Sequence, residues 1–228
     1  MTGIIVLCRY SSSRLPGKIL KPINGKPILG YIMERLSLLN GKAPIVICTS
    51  DEPTDDRIVQ YCIENGIKHF RGSLNNVAER FLSCAQHFGF SEAVRINGDN
   101  IFLDYELIEG MITQHASNKS VFTSNVRNRT YPKGMSVEIV NIQHYAQNLP
   151  LFNEGDKEHV MTYFYRQNNV NHFFVYNKKD YGETLNFAID TPEDFHNATQ
   201  VISLMERDHT NYKMDDIIEL YRLVYEKK

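Results

Sequence analysis

Gly3-Ile4-Ile5-Val6-Leu7-Cys8 runs straight into Arg9-Tyr10-Ser11-Ser12-Ser13-Arg14-Leu15-Pro16-Gly17-Lys18. The first six residues are a continuous apolar run, the pattern of a strand covered on both faces. The next ten cannot extend it, because they carry three serine hydroxyls, two guanidinium groups, an ammonium and a Pro-Gly pair. A loop of that composition at the end of a buried strand marks an open α/β sheet, whose ligands sit at the carboxyl ends of its strands. Outward from this stretch the rhythm repeats. Residues 45–49, 67–70 and 93–96 read as further strands, and residues 27–39, 55–64 and 76–88 between them read as helices. The expected fold class is α/β: a three-layer, doubly wound, mostly parallel sheet with a small antiparallel arm.

Beyond Asp104, a candidate N-cap for a helix over 105–115, the rhythm loosens. Residues 120–125, 135–140, 172–176 and 186–189 read as strands and 157–167 as one helix. Thr191-Pro192-Glu193-Asp194 opens another helix with an N-cap threonine, a first-position proline and first-turn acids, and a last helix covers about 214–225. No repeat or linker divides the 228 residues, so a single domain over 1–228 is expected, with an arm or dimerisation subregion at about 125–180.

The net charge of −2 provides no basic field for a nucleic-acid backbone or an anionic membrane, so neither is an expected partner. Cys8, Cys48, Cys62 and Cys84 form no C-x-x-C pair and read as buried small hydrophobes of a reducing compartment. With no apolar stretch of spanning length, the expected location is the cytoplasm.

Three segments carry the chemistry. In the opening loop, Arg9, Ser12, Ser13, Arg14 and Lys18 offer the fork and point-charge donors that phosphate oxygens take, although the loop is neither a P-loop nor a Rossmann glycine turn. At the end of the 93–96 strand, Asn97-Gly98-Asp99 combines a glycine that permits close approach with an aspartate able to hold Mg²⁺ against phosphate; an ordinary turn is the alternative. Asp190, between an apolar run and the Thr191-Pro192 helix start, is the third candidate, its plainer role being part of that helix start.

Arg9-x-x-Ser12-x-Arg14-Leu15-Pro16-Gly17-Lys18 resembles the opening motif of spore-coat-polysaccharide-type cytidylyltransferases, relatives of the 3-deoxy-manno-octulosonate and acylneuraminate cytidylyltransferases. The likeness continues through Phe70-Arg71-Gly72-Ser73, Asn76-Val77 with Arg80, Arg95-Ile96-Asn97-Gly98-Asp99, Thr130-Tyr131-Pro132, Val137-Glu138, Glu158-His159-Val160 and Ile189-Asp190-Thr191-Pro192-Glu193-Asp194. The resemblance implies a nucleotide-diphospho-sugar transferase-like fold and transfer of CMP from CTP to a sugar or sugar-acid acceptor. It implies Asp99 and Asp190 as Mg²⁺ ligands, Arg14 and Lys18 with them as catalytic residues, and Gly72, Asn76, Arg80, Asn97 and Gly98 near the nucleotide. Arg129, Lys133, Glu138 and His159 are the acceptor-side candidates, and a homodimer is implied.

The chain departs from the family pattern at Ser11, where glycine is usual, and at Asn100-Ile101, where Cys-Pro is usual. It departs again at Lys133 and Ser136, where the relatives carry two acids, which leads to the expectation that Lys133 faces a more anionic acceptor. The competing classes are a nucleotide-sugar-dependent glycosyltransferase, which would usually carry an Asp-x-Asp at the strand end where Asp99-Asn100-Ile101 stands, and a non-catalytic nucleotide-binding relative.

Overall fold

The computed structural model describes residues 1–225 other than 40, 42 and 183. Its first half alternates as expected: β1 (Thr2–Leu7), a hairpin of β2 (Pro22–Ile23) and β3 (Lys26–Pro27), α1 (Ile28–Ser37), β4 (Ile45–Ser50), α2 (Asp56–Glu64), β5 (His69–Gly72), α3 (Val77–His87), β6 (Glu92–Asn97) and α4 (Tyr105–Ser117). Then follow β7 (Phe122–Ser124), β8 (Glu138–Asn141), α5 (Ile142–Asn148), α6 (Glu154–His159), α7 (Thr162–Tyr165), β9 (His172–Phe174), α8 (Pro192–Ser203) and α9 (Met214–Tyr225).

Among the described residues, seven strands form one sheet in the order β5-β4-β1-β6-β8-β7-β9. Within it β8 alone runs against its neighbours β6 and β7, and β9 returns parallel to β7. The separate antiparallel pair is β2 with β3. Strands of the 125–180 subregion, β8 and β9, are thus woven into the main sheet.

The alternation of side chains along β1 divides the core in two. Ile4 and Val6 pack with residues of α1, α2, α4, α8 and α9 on one face. Ile5 and Leu7 pack on the other with Phe81 of α3, Tyr145 of α5 and Phe164 of α7. Every one of these side chains is fully or almost fully buried, which is why β1 reads as an unbroken apolar run.

Three local expectations are corrected. The helix expected over 157–167 is two helices, α6 and α7, separated where Val160 takes φ 63° and ψ −49°, a conformation that no helix continues through. The strand expected at 135–140 begins only at Glu138, because the Asn125 side chain takes over the bonding there, donating to the Met135 carbonyl and accepting from Val137 N–H, both at 2.8 Å. Residues 186–189 are extended but form no strand: Phe187 N–H bonds the Lys133 carbonyl and Ile189 N–H the Asp99 carbonyl, so the segment spans two loops and joins no ladder.

Candidate active site

The sheet order reverses direction at β1: the chain moves outward through β4 and β5, then returns to place β6 on β1's other side. The carboxyl ends of β1 and β6 lie level, Leu7 opposite Asn97, and this is the switch point where open α/β sheets leave a crevice. Gly98 N–H bonds the Leu7 carbonyl at 2.8 Å, and a Cβ on Gly98 would stand 2.6 Å from the Cys8 Cβ, so only glycine lets the two strand ends close this tightly.

A cleft of about 420 Å³ opens over this junction. Arg9, Ser12, Ser13, Arg14 and Lys18 line it from the opening loop. Asn97, Gly98 and Asp99 line it from the end of β6, and Asp190 from the segment before α8. Arg80 of α3 and His159 of α6 complete the set of expected site residues in the lining. Residues up to 181 positions apart in sequence are thus brought to one wall.

At its centre is a charge cluster. The Lys18 ammonium donates to the Ile189 carbonyl at 2.6 Å and to Asp190 Oδ1 at 3.0 Å, with Asp99 Oδ2 at 3.6 Å. Arg14 reaches the other Asp190 oxygen at 3.1 Å while staying largely exposed. Burial pushes the Asp99 carboxyl above its ordinary pKa; Lys18 pulls it down and the neighbouring Asp190 adds to the rise. Two carboxylates converging on one ammonium share a single cation position. That donor set fits Mg²⁺, which is held by one or two carboxylates with phosphate oxygens and water filling the rest. Among the described residues no larger group of His, Cys, Asp and Glu gathers into a cage of protein ligands.

Four expected residues stand outside the lining of this cleft among the acceptor and nucleotide candidates named above, and a fifth touches it through a neighbour. Gly72 ends β5, packed against the Arg80 side chain. Asn76 is the N-cap of α3, accepting from Glu79 N–H at 3.0 Å. Arg129 is half-buried and donates to Ser136 Oγ at 3.1 Å, and Lys133 is exposed. Glu138 is buried and ion-paired with Arg95, whose side chain does line the cleft.

Arg95 itself was legible as a charge inside the apolar run Ala93-Val94-Arg95-Ile96. Burial works against its charge, and Glu138 beside it outweighs that and raises its pKa. Glu138's second oxygen accepts from Tyr165 OH, which in turn pairs with Ser124 Oγ at 2.8 Å. Arg95 Nε and Arg80 Nε are both buried without a partner among the described residues. Glu158 and Val160 also line the cleft. Val160 forms the tight turn between α6 and α7, with Met161 N–H on the His159 carbonyl at 2.6 Å and Tyr145 OH on the Val160 carbonyl at 2.9 Å.

The family described as Cytidylyltransferase matches residues 3–227. The chain is 32% identical over 165 residues to the spore coat polysaccharide biosynthesis protein SpsF of Bacillus subtilis (strain 168), covering 70% of this chain and 68% of that protein. It is 30% identical over 101 residues to a 3-deoxy-manno-octulosonate cytidylyltransferase of Aeromonas salmonicida, covering 42% and 39% of the two chains. A solved cytidylyltransferase from Leptospira borgpetersenii serovar Hardjo-bovis superposes with a TM-score of 0.92 at 28% identity, over 99% of this chain and 95% of that one.

Proposed function

This chain belongs to the cytidylyltransferase family and is a nucleotidyltransferase, and on that premise we propose that it moves CMP from CTP onto a sugar or sugar-acid acceptor, making an activated nucleotide sugar for surface glycan synthesis. The observation that carries this reading is the convergence of Lys18, Arg14, Asp99 and Asp190 at the switch-point cleft. The glycan role is supported by the likeness to a protein of spore coat polysaccharide biosynthesis.

In the proposed reaction an acceptor oxygen attacks the α-phosphorus of CTP in line. The new P–O bond forms as the bond to the β-phosphate bridging oxygen breaks, pyrophosphate leaves with that electron pair, and a hydroxyl acceptor gives up its proton to solvent. Arg9, Ser12, Ser13 and Arg14 hold the triphosphate along the opening loop, and Lys18 faces the charge that develops as the phosphorus becomes five-coordinate. Mg²⁺, held by Asp99 and Asp190, would supply further neutralisation of the phosphates. Gly72, Asn76 and Arg80 shape the nucleotide side with Asn97 and Gly98. On the acceptor side His159 lines the cleft, Glu138 acts through Arg95, and Arg129 and Lys133 stand further out.

No helix among the described residues is long and apolar enough to cross a membrane. The four cysteines are free and buried, which suits a reducing compartment, and we assign the protein to the cytoplasm as a homodimer joined through the 125–180 subregion.

The test is pyrophosphate release from CTP, UTP, ATP and GTP in the presence of Mg²⁺ and a panel of sugar acids, neutral sugars and sugar phosphates. Release that needs both CTP and one acceptor class supports the reading. Transfer of a sugar from a nucleotide sugar, or no release with any pair, contradicts it.

A further inference from the structure

We propose that Asp55 is a positioning residue for nucleotide binding, fixing the shape of the phosphate-facing loop 9–18 through the backbone of Tyr10; this rests on the reading of the cleft as a CTP site. Asp55 stands at the N-cap position of α2, yet its side chain makes no cap hydrogen bond to that helix. It is fully buried and turned instead toward the end of β1. Oδ1 accepts from Tyr10 N–H at 2.7 Å, across 45 residues of sequence. Oδ2 accepts from Thr49 Oγ1 at 2.8 Å, from Ser50 N–H at 2.9 Å and from Ser50 Oγ at 2.5 Å. A carboxylate held out of water by neutral donors alone is costly unless each bond is made, so the arrangement demands the loop in this one position.

Tyr10 passes the constraint on. Its carbonyl accepts from Ser12 N–H at 2.9 Å and from Gly17 N–H at 2.8 Å, tying the start of the loop to its end. Its ring lies over Gly17, which has φ 72° and where a Cβ would come within 2.9 Å of the ring. The ring is held from outside by Arg57, whose NH1 donates to Tyr10 OH at 2.7 Å and whose guanidinium lies 5.0 Å over the ring. Arg9, Ser12, Ser13, Arg14 and Lys18 all hang from this one pinned residue. A phosphate loop fixed before the ligand arrives loses less freedom on binding, so the pin translates into affinity for the triphosphate.

Asp55→Asn tests this with little change of shape. The amide keeps one oxygen for the three donors of β4 and presents N–H to the Tyr10 N–H, donor against donor, releasing the loop selectively. Two readouts are made: amide hydrogen exchange of the ligand-free protein, and calorimetric binding of CTP with Mg²⁺. The proposal expects Ser12 and Gly17 amides to exchange at least about tenfold faster while β1 and β6 amides keep their protection, and the Kd for CTP to rise at least about tenfold. Exposed Arg57→Ala, which cannot unfold the core, gives a smaller change of the same sign in both readouts. Loop protection and CTP affinity within about twofold of wild type in Asp55→Asn would overturn the proposal. So would faster exchange spread evenly over the whole protein, or an unfolded Asp55→Asn combined with an unaltered Arg57→Ala. A wild-type protein that binds no CTP would sink the proposed function instead, while the exchange data still decide whether Asp55 pins the loop.

Discussion

Lys18 Nζ stands 3.0 Å from Asp190 Oδ1, and the two residues are 172 positions apart in the chain. With Asp99 Oδ2 at 3.6 Å on the other side, the ammonium occupies the place where both carboxylates point. In the proposed reaction Asp99 and Asp190 would hold a divalent cation near that place, leaving the Lys18 charge for the phosphates. Asp99→Asn and Asp190→Asn are therefore each expected to lower turnover by at least about 10²-fold, since each removes a charged ligand from one shared position. Their effects fail to add in the double variant, because the second removal finds the site already broken. Steady-state turnover at saturating Mg²⁺ is the check, and near-normal rates in either single variant would remove that residue from the mechanism.

Lys18 and Arg14 separate by kinetics. Lys18 is almost enclosed, with its side chain 14% exposed, whereas Arg14 is 61% exposed at the mouth of the cleft. Lys18→Ala is expected to slow the single-turnover rate more than it weakens CTP binding, because a cation aimed at developing charge acts mainly in the transition state. Arg14→Ala lowers both. An unchanged single-turnover rate in Lys18→Ala would count against its assignment.

The Arg95–Glu138 pair predicts a stability effect. Glu138 is 3% exposed and Arg95 15%, so Glu138→Ala leaves a guanidinium largely out of water without its partner, at a cost of about 3 kcal/mol. Replacing both residues with apolar ones of similar size costs less than the single change. Urea unfolding of the two variants decides this, and a double variant at least as unstable as the single one would contradict it.

Asp156 predicts an acid limit. Burial opposes its ionisation, but hydrogen bonds from Arg166, Thr162 and Asn153 N–H outweigh burial and hold its carboxyl below the usual carboxylate range. A carboxylate with a folded pKa below its unfolded value, about 3.9, contributes stability that is present above that value and lost as pH falls through the folded one. Wild type should therefore lose stability faster than Asp156→Asn as pH drops below about 5, and parallel stability curves would refute the assignment.

How much of this was readable in the sequence differs from element to element. β1 and its loop were legible because a buried strand followed by basic and hydroxyl residues has few structural uses, and Asp99 stood at the end of a similar run. Asp190 drew notice by its position before the Thr191 helix start and does line the cleft, although the run before it is a spanning loop. The break at Val160 carried no signal, since neither glycine nor proline marks it and the bond that holds the turn comes from Tyr145 of α5, whose OH donates to the Val160 carbonyl. Helix α5 was missed because it has only seven residues, too few for a period to show, and is announced by little more than the Asn141 cap. Asp55 was hidden by its own position, reading as a helix start while its side chain serves another segment.

In the proposed reaction CTP gives up its α-phosphate with the cytidine attached. Radiolabel placed on the α-phosphate of CTP, followed with Mg²⁺ and each accepted sugar in turn, tests it most directly. The label is expected to move into the sugar product in equal amount to the pyrophosphate released, and Asp190→Asn to lower both together by at least about 10²-fold. Label that stays with free nucleotide while the sugar is modified, or product that carries no label, would contradict it.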